Sequence, residues 1–289
     1  MSSLNPDRHT GALVAMQIAF NRHHGLRYRS SALEPLLALK RRGLLAAVML
    51  TLQMRPVLAE QAWRVDAGPG LAVAPQYPGS RGELTLPLPM VDIAYDQTLF
   101  LNTEHGLGAY AVNRDDLQLG SSLWFRRGRF HDESSRLAAL GDIDNALQAQ
   151  LFGRYRLGFV ELKTTLARDF GGSSGLTVDS SVALLLQPSP GLSAAVGVQG
   201  SYGNGRTMQA WFGVTPDQAR ASGLAGYSPG AGFSSVGPNA SLNYVLSQRW
   251  TLHARVAENF LTGKASDSPI VERNASPTIA VGATVHFFP

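Results

Sequence analysis

The chain has 289 residues, 44% of them hydrophobic and only 16% charged, against roughly 25% charged in ordinary soluble domains. It contains no cysteine, which excludes a disulfide framework and any thiolate metal site. Residues 1–59 carry 8 Lys/Arg against 2 Asp/Glu, and the rest carry 17 against 19. The formal charge of +4 therefore belongs to the N-terminus, and the near-neutral remainder gives no electrostatic footprint for nucleic acid.

Residues 40–59 read KRRGLLAAVMLTLQMRPVLA. Lys40, Arg41 and Arg42 form a positive head, Gly43 to Leu52 an apolar run, and Val57-Leu58-Ala59 places compact residues before a cut at Glu60. That is the layout of a secretory signal peptide. The apolar run is well short of the roughly 20 residues a membrane-spanning helix needs. Residues 1–39 then stand outside the mature protein, as the product of an over-extended gene start. The mature chain is expected to be 60–289.

From Glu60 onward the hydropathy alternates with period two. In 145–157, Leu147, Ala149, Leu151, Tyr155 and Leu157 share one face, and Gln148, Gln150, Arg154 and Arg156 the other. In 158–168, Val160, Leu162 and Leu166 oppose Glu161, Lys163 and Thr165. The pattern repeats in 190–202, in 249–260 and in the final segment, where Ile279, Val281, Val285 and Phe287 oppose Thr278, Gly282, Thr284 and His286. Weaker examples near 69–77, 84–95, 98–104, 107–113, 116–126, 174–187 and 232–247 bring the total to about twelve strands of about ten residues.

Alternation alone also describes a soluble sandwich. The connections decide between them: short joins alternate with long ones at 76–83, 127–143, 169–174, 202–232 and 262–276, with 103–107 a short join in a long-loop slot. All-β, closed and antiparallel is therefore the expected fold, a transmembrane barrel with short periplasmic turns and long extracellular loops. Trp250, Leu252 and Val256 would face lipid. Gln148, Gln150, Arg154, Arg156, Glu161, Lys163, His253 and Arg255 would line the lumen, where charged walls tune permeation or pair across and close it.

The loops supply little chemistry. His105, His131, His253 and His286 are scattered, and no nucleophile motif accompanies them. Asp142 and Asp144 are spaced like the start of a calcium loop, without the glycine or closing glutamate. No catalytic residue, metal site or cofactor is expected. Arg126, Arg127 and Arg129 in WFRRGRFHDE could meet lipopolysaccharide phosphates or pair within their own loop. TPDQARAS reads as a short helix with Thr215 as its cap and Pro216 at its first position. The glycines around it would let the 202–232 loop either plug the mouth or face outward.

The C-terminal residues Gly282, Val285 and Phe287 resemble the strand that barrel-assembly machinery recognises, an aromatic ending preceded by alternating apolar positions. The block WFGVTPDQARASGLAGYSPGAG, Trp211 to Gly232, goes further, since it resembles the MipA/OmpV family of outer-membrane proteins in residue type and order. Phe212, Gly213, Val214, Thr215, Pro216, Gly223, Tyr227, Gly230 and Gly232 carry that match. Asp267, Ser268 and Pro269, in DSPIV, carry a second match in the next long loop. In YPGSRGE the sequence departs from the acidic residues common in the family. The resemblance implies a non-enzymatic barrel in outer-membrane lipid that scaffolds a lytic transglycosylase and a penicillin-binding peptidoglycan synthase. A small-solute channel is the alternative.

Overall fold

A computed structural model describes residues 63–287; the proposed signal peptide and N-terminal extension lie outside them. The order of elements is β1 (Trp63–Gly68), β2 (Gly70–Pro75), β3 (Glu83–Pro87), β4 (Met90–Tyr95), β5 (Leu99–Asn102), β6 (Gly106–Asn113), β7 (Leu117–Arg126), β8 (Ala146–Leu157), β9 (Val160–Gly171), β10 (Leu176–Ser189), β11 (Leu192–Gly203), α1 (Gly205–Phe212), α2 (Pro216–Ser222), β12 (Gly232–Val245), β13 (Trp250–Leu261) and β14 (Ala275–His286). Two 3-10 turns, His131–Glu133 and Ser135–Leu137, lie between β7 and β8.

The 14 strand segments form a closed twelve-stave antiparallel barrel. β1 and β2 are one stave, β3 and β4 the next. Gly68 pairs with Met90, and the Leu88 N–H donates to the Gly70 carbonyl at 2.9 Å, so Pro69 and Pro89 stand opposite one another in unbroken register. In this register they form a non-hydrogen-bonded pair, so their missing N–H groups point away from each other: Pro69 faces β14, where its carbonyl accepts from the Ala283 N–H at 3.0 Å, and Pro89 faces Thr103. β14 closes the ring by pairing with β13, β1 and β2. A closed sheet is what hydrocarbon demands, because every backbone N–H and C=O must find its partner inside the protein.

The outer face is apolar along the staves. Leu151, Leu162, Val182, Val196, Leu252 and Val256 are all exposed there. Trp63 and Trp250, both exposed, mark the end with the tight turns; Phe125, Phe170, Phe233 and Phe260 mark the other. Aromatic girdles of this kind flank the lipid-facing band of membrane barrels. Alternate residues turn inward, and that face is mostly polar.

The staves are unequal, unlike the uniform ten-residue spans the hydropathy suggests. β5 has 4 residues and β6 has 8, while β8 to β14 have 12 or 14. Asn102 stops the hairpin early: its side-chain oxygen accepts from the N–H groups of Glu104 and His105 at 3.1 and 2.7 Å, and Gly106 turns with φ +73°. At the loop end, segments 76–82, 127–145, 204–231 and 262–274 gather into a cap.

Leu151 sits midway along β8 and is 61% exposed. Leu151→Arg should cost about 2–4 kcal/mol of stability in a bilayer. Ser181→Arg, directed into the lumen, should cost far less. Urea titration of both variants folded in phospholipid vesicles measures the difference.

Candidate functional site

The inward faces of β7, β8 and β9 hold a continuous polar chain. The Arg126 Nη1 lies 3.2 Å from the Asp169 Oδ2, and the Gln148 Nε2 donates to the other Asp169 oxygen at 2.8 Å. Gln150 donates to Gln148 at 3.2 Å, and the Gln150 oxygen accepts from the Ser122 hydroxyl at 3.3 Å. Ser173 also donates to Asp169. The His105 ring stacks on Phe152 with centroids 4.0 Å apart, and its Nδ1 lies 3.4 Å from the Gln150 oxygen. Neighbours that hydrogen-bond each other in a dry wall are held rigidly.

Nearer the tight turns, Glu161 gathers three cations. Arg156, Lys163 and Arg154 approach it at 3.4, 3.7 and 3.8 Å, and Lys163 also meets Glu104 at 3.1 Å. Glu104 comes from the short β5–β6 hairpin, so this network reaches across the barrel from β9. Among the described residues Arg255 has no ion-pair partner; it lines a cavity of about 540 Å³ together with Arg64, Arg154 and Asp179. His253 sits apart from that cluster, held between Asn243 at 2.7 Å and Thr284 at 2.9 Å. His286 pairs with Asp66 at 2.8 Å. Each of these rings is held by a residue of the barrel wall.

The cap is built from the two long-loop blocks. The Asn204 side chain accepts from the N–H groups of Thr207 and Leu176 at 3.0 and 3.1 Å, which starts α1 and ties it to β10. Met208, Trp211 and Phe212 fall three and four residues apart, on one helix face. They pack with Ile143, Leu261 and Ala265 in the barrel mouth. Trp211 is held doubly: Arg129 donates to its carbonyl at 3.0 Å, and the Arg126 guanidinium lies 4.8 Å over its ring. Arg129 is only 2% exposed, and burial pushes its pKa down to about 10. Arg126 and Arg129 therefore turn inward, to Asp169 and Trp211, while Arg127 pairs with Glu133 inside its own loop.

Val214 and Tyr227 exchange backbone hydrogen bonds at 2.8 and 2.9 Å, closing a loop around α2. Thr215 and Gln218 form a reciprocal capping box, Pro216 takes the first helical position, and Gly223 ends the helix at φ +73°. Gly213 leaves α1 where a Cβ would collide with Gln209. The Ser268 hydroxyl donates to the Phe212 carbonyl at 2.6 Å, Arg136 donates to the Pro269 carbonyl, and the Asp267 N–H donates to Gly263. Tyr227 reaches the Lys264 carbonyl at 2.8 Å, beside Gly230, and Gly232 opens β12. A second apolar cluster joins Tyr77, Leu137, Leu140, Val214 and Ile270. Burial and the neighbouring Glu272 carboxylate raise the Tyr77 phenol to about 12. The two blocks thus form one packed cap, with α1 inward and α2 outward.

At the seam, Gly282 lies where a Cβ would meet Met90 and the Pro69 backbone. Val285 pairs with Trp250 and Ala67, and the Phe287 N–H donates to the Val65 carbonyl at 3.0 Å. What sequence reasoning missed was α1. Its signal, an asparagine cap followed by apolar residues at 208, 211 and 212, is present but sits in a glycine-rich setting.

Two outcomes follow from the cap. Met208 is 0% exposed, so Met208→Ala should cost about 2–5 kcal/mol of local packing and expose 204–231 to proteinase K in intact vesicles. His131 Nδ1 lies 2.7 Å from Asp142, whose carboxylate raises the imidazole above its ordinary 6.5; Asp142 in turn lies below 3.8, held by the His131 N–H and ring. The histidine's contribution is fully present below 6.5 and is lost as pH rises through the raised value. The aspartate's is present above 3.8 and is lost as pH falls through the lowered one. Proteolysis of 127–145 should therefore speed up on the alkaline side of the His131 titration, and Asp142→Asn should abolish that step.

Comparison with known proteins places this geometry. The profile described as MltA-interacting protein MipA matches residues 67–287. The MltA-interacting protein of Escherichia coli (strain K12) is 24% identical over 204 residues, 70% of this chain and 81% of that one, and the Shigella flexneri protein of the same name matches equally. Among solved structures, the KdgM porin covers 78% of this chain and 99% of its own at 9% identity, with a TM-score of 0.35. The NanC porin covers 78% and 100% at 6% identity, with a TM-score of 0.38. With the profile matched from the first stave to the last, the chain belongs to the MltA-interacting protein MipA family.

Proposed function

We propose that this protein is a non-enzymatic outer-membrane scaffold, exported by the 40–59 signal with cleavage after Ala59 and inserted by barrel-assembly machinery through its C-terminal strand. Its partner is a lytic transglycosylase of the kind named in its relatives, joined to a penicillin-binding peptidoglycan synthase. The observation that carries this reading is the packing of the barrel's inner side at two levels. The cap fills the mouth with Met208, Trp211 and Phe212, and Glu161 draws Arg154, Arg156 and Lys163 together below it. A mouth occupied by a packed cap and a wall whose charges are paired favour a rigid platform over a conduit.

A periplasmic partner meets the tight-turn end. There Asp96, Arg114, Asp115, Asp116 and Arg249 are exposed, and complementary charge there steers association and fixes partner choice. The competing reading, a small-solute channel, draws on the charged cavity beside Arg255.

Folded protein in planar bilayers should give no stable conductance steps, and immobilised protein should retain the transglycosylase from envelope extract. Asp115→Arg with Asp116→Arg should weaken that capture about tenfold, or ~1.4 kcal/mol. Steady open steps that change with Arg255→Glu, together with no capture, would replace the scaffold by the channel.

A further inference from the structure

The ring of hydrogen bonds is complete around the tight-turn half of the barrel but not around the loop half. β5 pairs with β4 only from Leu99 to Asn102, and β6 pairs with β7 only as far as Leu123. β7 continues to Arg126 against β8, and β3 continues to Glu83 against β2. Above the hairpin at Thr103–His105, β3 and β7 therefore face each other with no strand between them. The ceiling of this gap is the packing of Tyr77, from the β2–β3 loop, on Leu137 and Leu140, from the β7–β8 loop. The result is a window in the wall.

The free edge of β3 is adapted to lie without a partner. Leu88 donates to the Gly70 carbonyl, and the Gly82 carbonyl accepts from Gln76. The even-numbered residues of this stave thus bond to β2, and by alternation Glu83, Thr85, Pro87 and Pro89 point their backbone groups into the gap. Two of those four positions are prolines, which have no N–H to leave unsatisfied. The Thr103 hydroxyl donates to the Pro89 carbonyl at 3.0 Å. An edge with half its donors removed is a poorer template for an added strand and leaves fewer unpaired groups beside hydrocarbon, where each costs several kcal/mol.

The inner surface beside the window is also out of keeping with the rest of the lumen. Leu84, Leu86, Leu88 and Met90 share the inward face of this stave, and all are half-buried. Leu88 and Met90 line a cavity of about 350 Å³. On the opposite jamb the half-buried Trp124 lines a cavity of about 510 Å³ beneath the cap. Elsewhere the inward positions are mostly polar, such as Gln148, Gln150, Glu161, Lys163 and Ser181, with Phe100, Tyr110 and Phe152 as a separate aromatic cluster. An apolar strip pays no desolvation cost when a hydrocarbon chain lies on it.

We propose that the gap between β3 and β7 is a lateral portal through which an acyl chain of a surrounding bilayer lipid enters the barrel and lies along Leu84, Leu86 and Leu88. The portal is independent of any scaffold role, since it opens on the lipid side and not at the tight turns.

The absence of cysteine allows a clean test. Bimane is attached to Leu86→Cys, to Leu166→Cys on the lipid face, and to Ser181→Cys in the lumen. Each is folded into phosphatidylcholine vesicles with brominated acyl chains, and folding is checked by heat-modifiable migration. Bimane at Leu86 should be quenched to at least half the extent seen at Leu166, and Leu84→Gln in the same protein should reduce that quenching several-fold. Should Leu86→Cys fail to fold, bimane at Trp124→Cys on the other jamb gives the same reading. Quenching no greater than at Ser181, with iodide quenching instead, would overturn the proposal and mark the gap as a water-filled notch.

Discussion

Every backbone polar group that lies in hydrocarbon must be paired within the protein, and the rest of this molecule follows from that requirement. It forces a closed sheet, so β14 must return to β1 and β2. Closure fixes which residues face lipid and which face inward, because the side-chain period along a strand is two. The requirement also explains where prolines are tolerated. Pro69 and Pro89 form a non-hydrogen-bonded pair whose missing N–H groups point away from the ladder they share, and Pro87 lies on an edge that no strand covers.

Closing the wall leaves the interior to be filled. Two kinds of packing do so at different depths. Near the tight turns the filling is ionic: one nearly buried carboxylate, Glu161, collects three cations whose stems run along the wall. An acid missing there would leave several like charges facing one another along the wall. Under the cap the filling is apolar, and the helix α1 carries it. The polar chain from Arg126 through Asp169 and Gln148 to Gln150 connects the two levels. Arg126 belongs to both, since its guanidinium pairs with Asp169 and covers Trp211.

The family-matching loop residues make sense as parts of one object. Phe212, Val214, Ser268 and Pro269 are far apart in sequence yet meet directly or through one intermediate side chain, because the cap has to bury its own backbone ends. Gly213 and Gly223 permit the turns on either side of α2. The cap is thus a small folded unit seated on a barrel.

Periodicity in the sequence determined most of the barrel. A strand with one face in lipid has a strict alternation that no compensating contact can replace, so Leu147 to Leu157 and Trp250 to Val256 were readable residue by residue. The Thr215 cap and Pro216 were readable for the same reason, since capping is local chemistry. What only the tertiary structure decided was which distant groups meet. That Arg126 and Arg129 turn inward depends on Asp169 and Trp211 being brought to them. That α1 enters the mouth depends on apolar partners at Ile143 and Leu261, and the short β5–β6 hairpin opens a gap only because β3 and β7 run past it. Local patterns record the solvent that each residue sees, whereas contacts across the barrel depend on closure and register.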